Sequence, residues 1–142
     1  MFREYEKFLG VDLCFQSFEE ELAELPGKYA PPRGALLLAR QAEHTAGCVA
    51  VRDLVHGICE MKRLFVRPKY RGCGLGRVLA REIIEAAIEL GYSHMRLDTL
   101  DWLRRAMRLY ESLAFKQIKA YYNNPLPGVV YWELDLKRCA ED

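Results

Sequence analysis

The sequence predicts an α/β (α+β) fold: a mixed, mostly antiparallel sheet of about six strands flanked by helices, with one central parallel pair. Three observations predict it. Short apolar runs at 35–40, 45–54 and 58–66 are separated only by turn residues and read as an antiparallel meander. One strongly periodic helix over 77–90 then joins strand 58–66 to strand 92–97, and so long a connection makes these two strands parallel. A second helix over 101–114 and a closing pair of strands at 115–121 and 129–136 complete the order.

Each element has a local cause. Residues 3–9 read as a short helix that Gly10 interrupts. Ser17 caps a second helix over 18–25, Glu20 completes the capping box, and the acidic first turn suits the helix dipole. Phe18, Leu22 and Leu25 share its apolar face, and Pro26-Gly27 ends it. Pro31 and Pro32 stiffen the loop at 28–34, where Tyr29 and Arg33 are placed either to touch a ligand or to pack and solvate. Residues 41–44 and His56-Gly57 make the two hairpin turns. In the long helix Leu75, Val78, Leu79, Ile83, Ala86, Ala87 and Leu90 recur at helical spacing, with Gly91 as its C′ residue. Asp101 is the expected cap of the next helix, with Leu103, Ala106, Leu109, Tyr110 and Leu113 facing inward. The loop between the last two strands carries Asn123-Asn124-Pro125 and Pro127-Gly128.

Composition bounds the function. At 142 residues the chain reads as one domain spanning 1–142, long enough to bury a core without staples. A net charge of +1 marks neither a nucleic-acid partner nor a membrane surface. The chain has no long apolar window, and its start, Met-Phe-Arg-Glu-Tyr-Glu, is not that of a signal peptide. Five scattered cysteines (Cys14, Cys48, Cys59, Cys73, Cys139) form no CxxC or Cys/His set, so no metal is expected. Reduced thiols fit a cytoplasmic protein.

The chemistry concentrates in the stretch from Leu64 to Arg77. An apolar strand (Leu64, Phe65, Val66) leads into a basic, glycine-rich loop, and a helix starting near Gly74 leads out. Glycines let backbone N–H groups close around an anion, and the helix start adds unpaired N–H groups and a positive dipole end. Gly72, Cys73, Gly74, Leu75 and Gly76 thus form a phosphate cradle with Arg71 and Arg77 as charged rims. It is not a P-loop, because Gly76 is followed by Arg77-Val78. It is not a dinucleotide fingerprint, because the third glycine position holds Arg77.

The string Arg71-x-x-Gly74-x-Gly76 resembles the pyrophosphate loop of the GCN5-related N-acetyltransferase (GNAT) superfamily. A second stretch, Ala106 to Phe115, resembles the signature A-x-x-L-Y-x-x-x-G-F of that family, some thirty residues further on with a strand between. Glu60 to Pro68 looks like the strand that leads into the family's cradle, and the resemblance covers roughly residues 35–136. Three departures stand out. Ala114 replaces the glycine before Phe115, Leu103 replaces an asparagine often found there, and no strand precedes the first helix. The last leaves a sheet with one strand fewer, or an edge covered by a second chain in a homodimer.

The resemblance implies an acetyl-CoA-dependent N-acetyltransferase that moves the acetyl group to a primary amine of a small molecule or amino acid by direct transfer in a ternary complex. Backbone groups of Leu64, Phe65 and Val66 would hold the pantetheine arm in a splayed gap between strands 58–66 and 92–97. The amides of 71–77 would hold the pyrophosphate. Tyr110 stands where many members carry a general acid, and a phenol with a pKa near 10 keeps its proton at neutral pH. Glu60 stands where some members carry the general base, and a salt bridge with Lys62 or Arg63 is the structural alternative. Strict alternation puts Glu60, Lys62, Leu64 and Val66 on one face unless a bulge intervenes. Arg63, Tyr29, Tyr121, Tyr122 and Asn123 are the candidate acceptor-binding residues, Arg63 through a carboxylate. The competing readings are a non-catalytic acyl-CoA-binding module and acetylation of a protein amine.

Overall fold

The computed structural model describes residues 29, 32–41, 43–124 and 126–141. The helices expected over 3–9 and 18–25, with the Ser17 cap, lie outside the described residues. Strands β1 (Ala35–Gln41), β2 (His44–Val55) and β3 (Ile58–Val66) form the expected antiparallel meander. His56 and Gly57 join β2 to β3 with φ of 43° and 79°. Two-residue hairpins favour such left-handed pairs because they match the twist of the strands. Helix α1 (Leu75–Glu89) crosses to strand β4 (His94–Leu100), which pairs parallel with β3. Helix α2 (Arg104–Ser112), strand β5 (Lys116–Ile118), strand β6 (Val129–Asp135) and helix α3 (Leu136–Glu141) follow. The six strands make one sheet in the order β1-β2-β3-β4-β6-β5, with β3–β4 its one parallel pair.

The core lies between α1 and one face of this sheet. Leu79, Ala80, Ile83, Ile84 and Ala87 of α1 pack on Val49, Val51, Met61, Met95, Leu97 and Trp132. Ile83 is fully buried, and burying a side chain of that kind contributes roughly 1.5–3 kcal/mol. Gly91 ends α1 at φ 91°: its N–H donates to Ile88 C=O, and the next N–H, of Tyr92, donates to Ala87 C=O. That is the Schellman closure expected of a C′ glycine. On the opposite face a smaller cluster gathers Tyr29, Cys48, Ala50, Phe65 and Leu100.

The structure corrects several expectations. Strand β4 starts at His94 and runs to Leu100, because Tyr92 still closes α1 and residues 98–100 keep pairing with β6. Asp101 does not cap α2. Its N–H donates to Gly128 C=O, the N-cap is Leu103, and no side chain caps the helix. Strand β5 holds three residues, fewer than the span 115–121 suggested.

The alternation expected along β3 breaks at Arg63. Cys48 faces Phe65 and Ala50 faces Lys62, so three steps on β3 match two on β2. The extra residue is a bulge, and Arg63 has φ 59°, in the left-handed region. Glu60 and Lys62 therefore do not share a face with Leu64 and Val66. Met61, Leu64 and Val66 pack with the α1 core, while Phe65 joins the opposite cluster.

Candidate active site

The bulge opens the sheet. Strands β3 and β4 pair over Ile58–Glu60 and His94–Arg96 only, after which β3 stays with β2 and β4 stays with β6. The edge of β3 beyond Glu60 has no ladder partner on the β4 side. A recess of about 50 Å³ lies in this gap, lined by Lys62, Arg63, Leu64, Asp98, Thr99 and Tyr110 among others. It adjoins a cleft of about 750 Å³, walled by Leu64, Phe65 and Val66, by Tyr70, Arg71, Gly72, Gly74, Leu75 and Gly76 of the loop and helix start, and by Trp102 and Arg105. Leu64, Asp98, Thr99, Leu103 and Tyr110 border both spaces.

Gly47 makes room for this geometry. A Cβ there would stand 2.7 Å from the Phe65 carbonyl oxygen and 3.0 Å from Leu79 Cδ1. Only glycine lets β2 pass so close to the splayed end of β3.

The cradle is built as the glycine spacing requires. Pro68–Tyr70 form one 3₁₀ turn, and Gly72 and Gly74 then take φ of 87° and 84°. No atom lies within 4 Å of a Cβ at either glycine, so their requirement is conformational, not steric. Gly74 is the N-cap of α1 and offers no side chain, and the first turn holds no acidic residue. The first intrahelical bond runs from the Val78 N–H to the Gly74 carbonyl. The amides of Leu75, Gly76 and Arg77 precede it, so they can serve an anion at the positive helix end. This set of donors fits a diphosphate.

The two rim arginines also brace the loop. Arg71 Nε donates to the Val66 carbonyl at 2.8 Å, and its guanidinium lies 5.5 Å from the Phe65 ring centroid. Arg77 Nη2 donates to Ser112 Oγ at 2.8 Å, tying α1 to α2. Cys73 is exposed, and its thiol donates to the Tyr70 carbonyl.

Tyr110 is buried and stands on the walls of both recess and cleft. Its position follows from how α2 ends. The Ala114 N–H donates to Glu111 C=O and the Phe115 N–H to Tyr110 C=O, a Schellman closure. The C′ residue is Ala114 at φ 75°, so the alanine takes the left-handed conformation where the family signature has glycine. The Phe115 ring then packs on Tyr110, and Trp132 flanks it at a centroid distance of 6.4 Å.

Behind the recess lies a buried polar cluster. Glu60 is 1% exposed. Arg52 donates to its Oε1 from Nε at 2.9 Å and from Nη2 at 2.8 Å, and Tyr121 donates to its Oε2 at 2.6 Å. Lys62 Nζ lies 3.8 Å from Oε1. Burial alone would raise the Glu60 carboxyl, but the charges of Lys62 and Arg52 and the bonds from Tyr121 and Arg52 hold it below the ordinary range. Burial pushes the Lys62 amine down, against the pull of Glu60 and Asp98. Tyr122 donates to Asp98, which also accepts from Asn124 Nδ2 at 3.2 Å. Burial and the adjacent carboxylates push both the Tyr121 and the Tyr122 phenol up.

The sequence-predicted residues thus divide. Tyr110, Leu64 and Arg63 meet at the recess; Phe65, Val66, Arg71, Gly72, Gly74, Leu75 and Gly76 line the cleft. Glu60, Tyr121 and Tyr122 lie in the polar cluster, Asn123 is exposed, and Tyr29 is buried in the apolar cluster at 1% exposure. Sequence reasoning missed Arg52 and Asp98 and gave Lys62 only a salt bridge. The available signal was charge at alternate positions of apolar strands: Arg52 on β2, Glu60 and Lys62 on β3, Arg96 and Asp98 on β4.

Residues 3–115 match the model of the Acetyltransferase (GNAT) family. An uncharacterized N-acetyltransferase of Schizosaccharomyces pombe is 51% identical over 138 residues, covering 96% of this chain and 85% of that protein. The thialysine N-epsilon-acetyltransferase of Bos taurus is 38% identical over 58 residues, 41% of this chain and 34% of that protein. The crystal structure of an acetyltransferase from Streptococcus agalactiae superposes with a TM-score of 0.76 at 24% identity, covering 92% of this chain and 82% of that one, and shows the shared fold. No helix among the described residues is long and apolar enough to cross a membrane.

Proposed function

The chain belongs to the acetyltransferase (GNAT) family, and on that premise we propose that it transfers the acetyl group of acetyl-CoA to the primary amine of a small molecule or amino acid, directly and without a covalent enzyme intermediate. One observation carries the reading. A cleft runs from the start of α1 at Gly74 to a recess at the splayed strands, and Tyr110 borders both.

The residues take roles along that path. The amides of Leu75, Gly76 and Arg77 bind the diphosphate, with Arg71 and Arg77 adding charge. The strand edge at Leu64–Val66, which lies beyond the last β3–β4 pair at Glu60 and lines the cleft, takes the pantetheine amides as a ladder partner would. Acetyl-CoA supplies the activated acyl group. The Tyr110 hydroxyl gives its proton to the departing thiolate. Glu60 does not line the recess itself; the proton leaving the amine reaches it through Lys62, which does.

The bovine relative named for thialysine is an amino-acid precedent. Titration calorimetry with acetyl-CoA, using dephospho-CoA and NAD as comparators, tests the reading. Saturable binding of acetyl-CoA, weakened by Arg71→Glu, is expected; no binding overturns it.

A further inference from the structure

Among the described residues Lys62 is the one amine on the recess wall, and its side chain is 8% exposed. Cleft and recess share Leu64, Asp98 and Tyr110 as walls, so a chain-like ligand lying in the cleft directs its end into the space that Lys62 borders. At roughly 10–15 Å³ for each water-sized group, a recess of about 50 Å³ takes a fragment of acetyl size. We propose that Lys62 is itself an acetyl acceptor: with acetyl-CoA bound and no amine in the recess, the protein acetylates its own Lys62 at Nζ. This rests on the acetyl-CoA reading above.

The surroundings favour a reactive amine. Glu60 and Arg63 face Lys62 from β3, Arg52 from β2, and Asp98 from β4. Tyr110 faces the same recess from α2. Burial outweighs the two carboxylates and holds the amine below the ordinary lysine range, which raises its neutral, nucleophilic fraction. Glu60 accepts from Arg52 and Tyr121 within 2.6–2.9 Å, and Lys62 Nζ lies 3.8 Å from its Oε1.

The step balances. The Nζ lone pair attacks the thioester carbonyl carbon; the C–N bond forms and the C–S bond breaks. The thiolate leaves with the proton of Tyr110, and the proton shed by nitrogen passes by way of Asp98 to water and back to Tyr110. Nothing is oxidised or reduced. The product amide removes one buried positive charge, while Glu60 keeps Arg52 and Tyr121 as partners. It also fills the recess, so acceptor acetylation stops.

The purified full chain is held with acetyl-CoA alone, and its intact mass and peptide map are followed while calorimetry measures acetyl-CoA binding. One added acetyl group, about 42 Da, mapped to Lys62 and saturating with acetyl-CoA as binding does, is expected. Lys62→Arg should bind acetyl-CoA and lose the adduct. Bound acetyl-CoA with Lys62 unmodified, or label confined to other amines such as the exposed Lys69, Lys116, Lys119 and Lys137, overturns the inference. Absence of acetyl-CoA binding overturns instead the reading beneath it.

Discussion

The Phe115 N–H closes helix α2 on the Tyr110 carbonyl at 3.0 Å while the two rings meet edge-on at a centroid distance of 5.6 Å. One residue thus ends the helix and steadies the ring on the cleft wall. Tyr110→Phe keeps both contacts and deletes only the hydroxyl. Loss of a general acid lowers turnover by roughly 10²–10⁴-fold, and acetyl-CoA affinity should be retained. Steady-state kinetics beside calorimetry check this; a wild-type rate in the variant removes Tyr110 as the acid.

Ala114 stands beside that pair at φ 75°. A left-handed alanine costs roughly 1–2 kcal/mol, and glycine gives back roughly 0.4–1 kcal/mol through a looser unfolded chain. Ala114→Gly should therefore stabilise the protein by about 0.5–1 kcal/mol, with the Schellman bonds unchanged. Urea unfolding reads it directly; a destabilised variant means the alanine methyl contributes packing that its exposed position does not suggest.

Glu60→Gln keeps the shape of the buried carboxylate and removes its charge. Breaking a buried ion pair destabilises by roughly 3–5 kcal/mol, and the lower end applies because Arg52 is 29% exposed. The pH dependence carries a sign. The folded-state pKa of Glu60 is depressed, so its stabilisation is complete above about pH 4.3, the unfolded value, and is lost as pH falls through the lower folded value. The variant should show a shallower loss of stability in acid by circular dichroism. Parallel acid limbs in the two proteins would show that Glu60 is not an ionised partner of Arg52.

Gly47→Ala should damage fold and cleft together. The added methyl lies 2.7 Å from the Phe65 carbonyl, and overpacking of that kind destabilises by roughly 1–3 kcal/mol. Because Phe65 lines the cleft, acetyl-CoA affinity should fall as well. Unaltered affinity in a folded variant would show that the cleft tolerates movement of β3.

Much of this was legible in the sequence, for physical reasons. Hairpin turns, glycine spacing and the apolar stripe of α1 are local signals, and each element they predicted exists. The Arg63 bulge was not legible, because a bulky residue at φ 59° leaves no compositional trace. Without it the face shared by Glu60 and Lys62 is assigned wrongly. Asp101 has the right chemistry for a helix cap, but β4 continues past Asp98 and uses the Asp101 amide against Gly128, so the helix starts later. The polar cluster was hidden for another reason. Arg52, Glu60, Asp98 and Tyr121 meet across separate strands, and their adjacency depends on strand order and register.

The parallel pairing of β3 and β4 stops after three residue pairs, at Glu60 and Arg96. On the proposed reading, a sheet left unzipped at one end is completed by the donor it binds, so thermal stability becomes a gauge of donor supply. A ligand that binds only the folded state adds about 2.7 kcal/mol at a hundred times its Kd. On the same reading, the melting temperature of this chain follows the surrounding acetyl-CoA concentration, and the seam that does the chemistry is also the place where the donor's binding energy enters the fold.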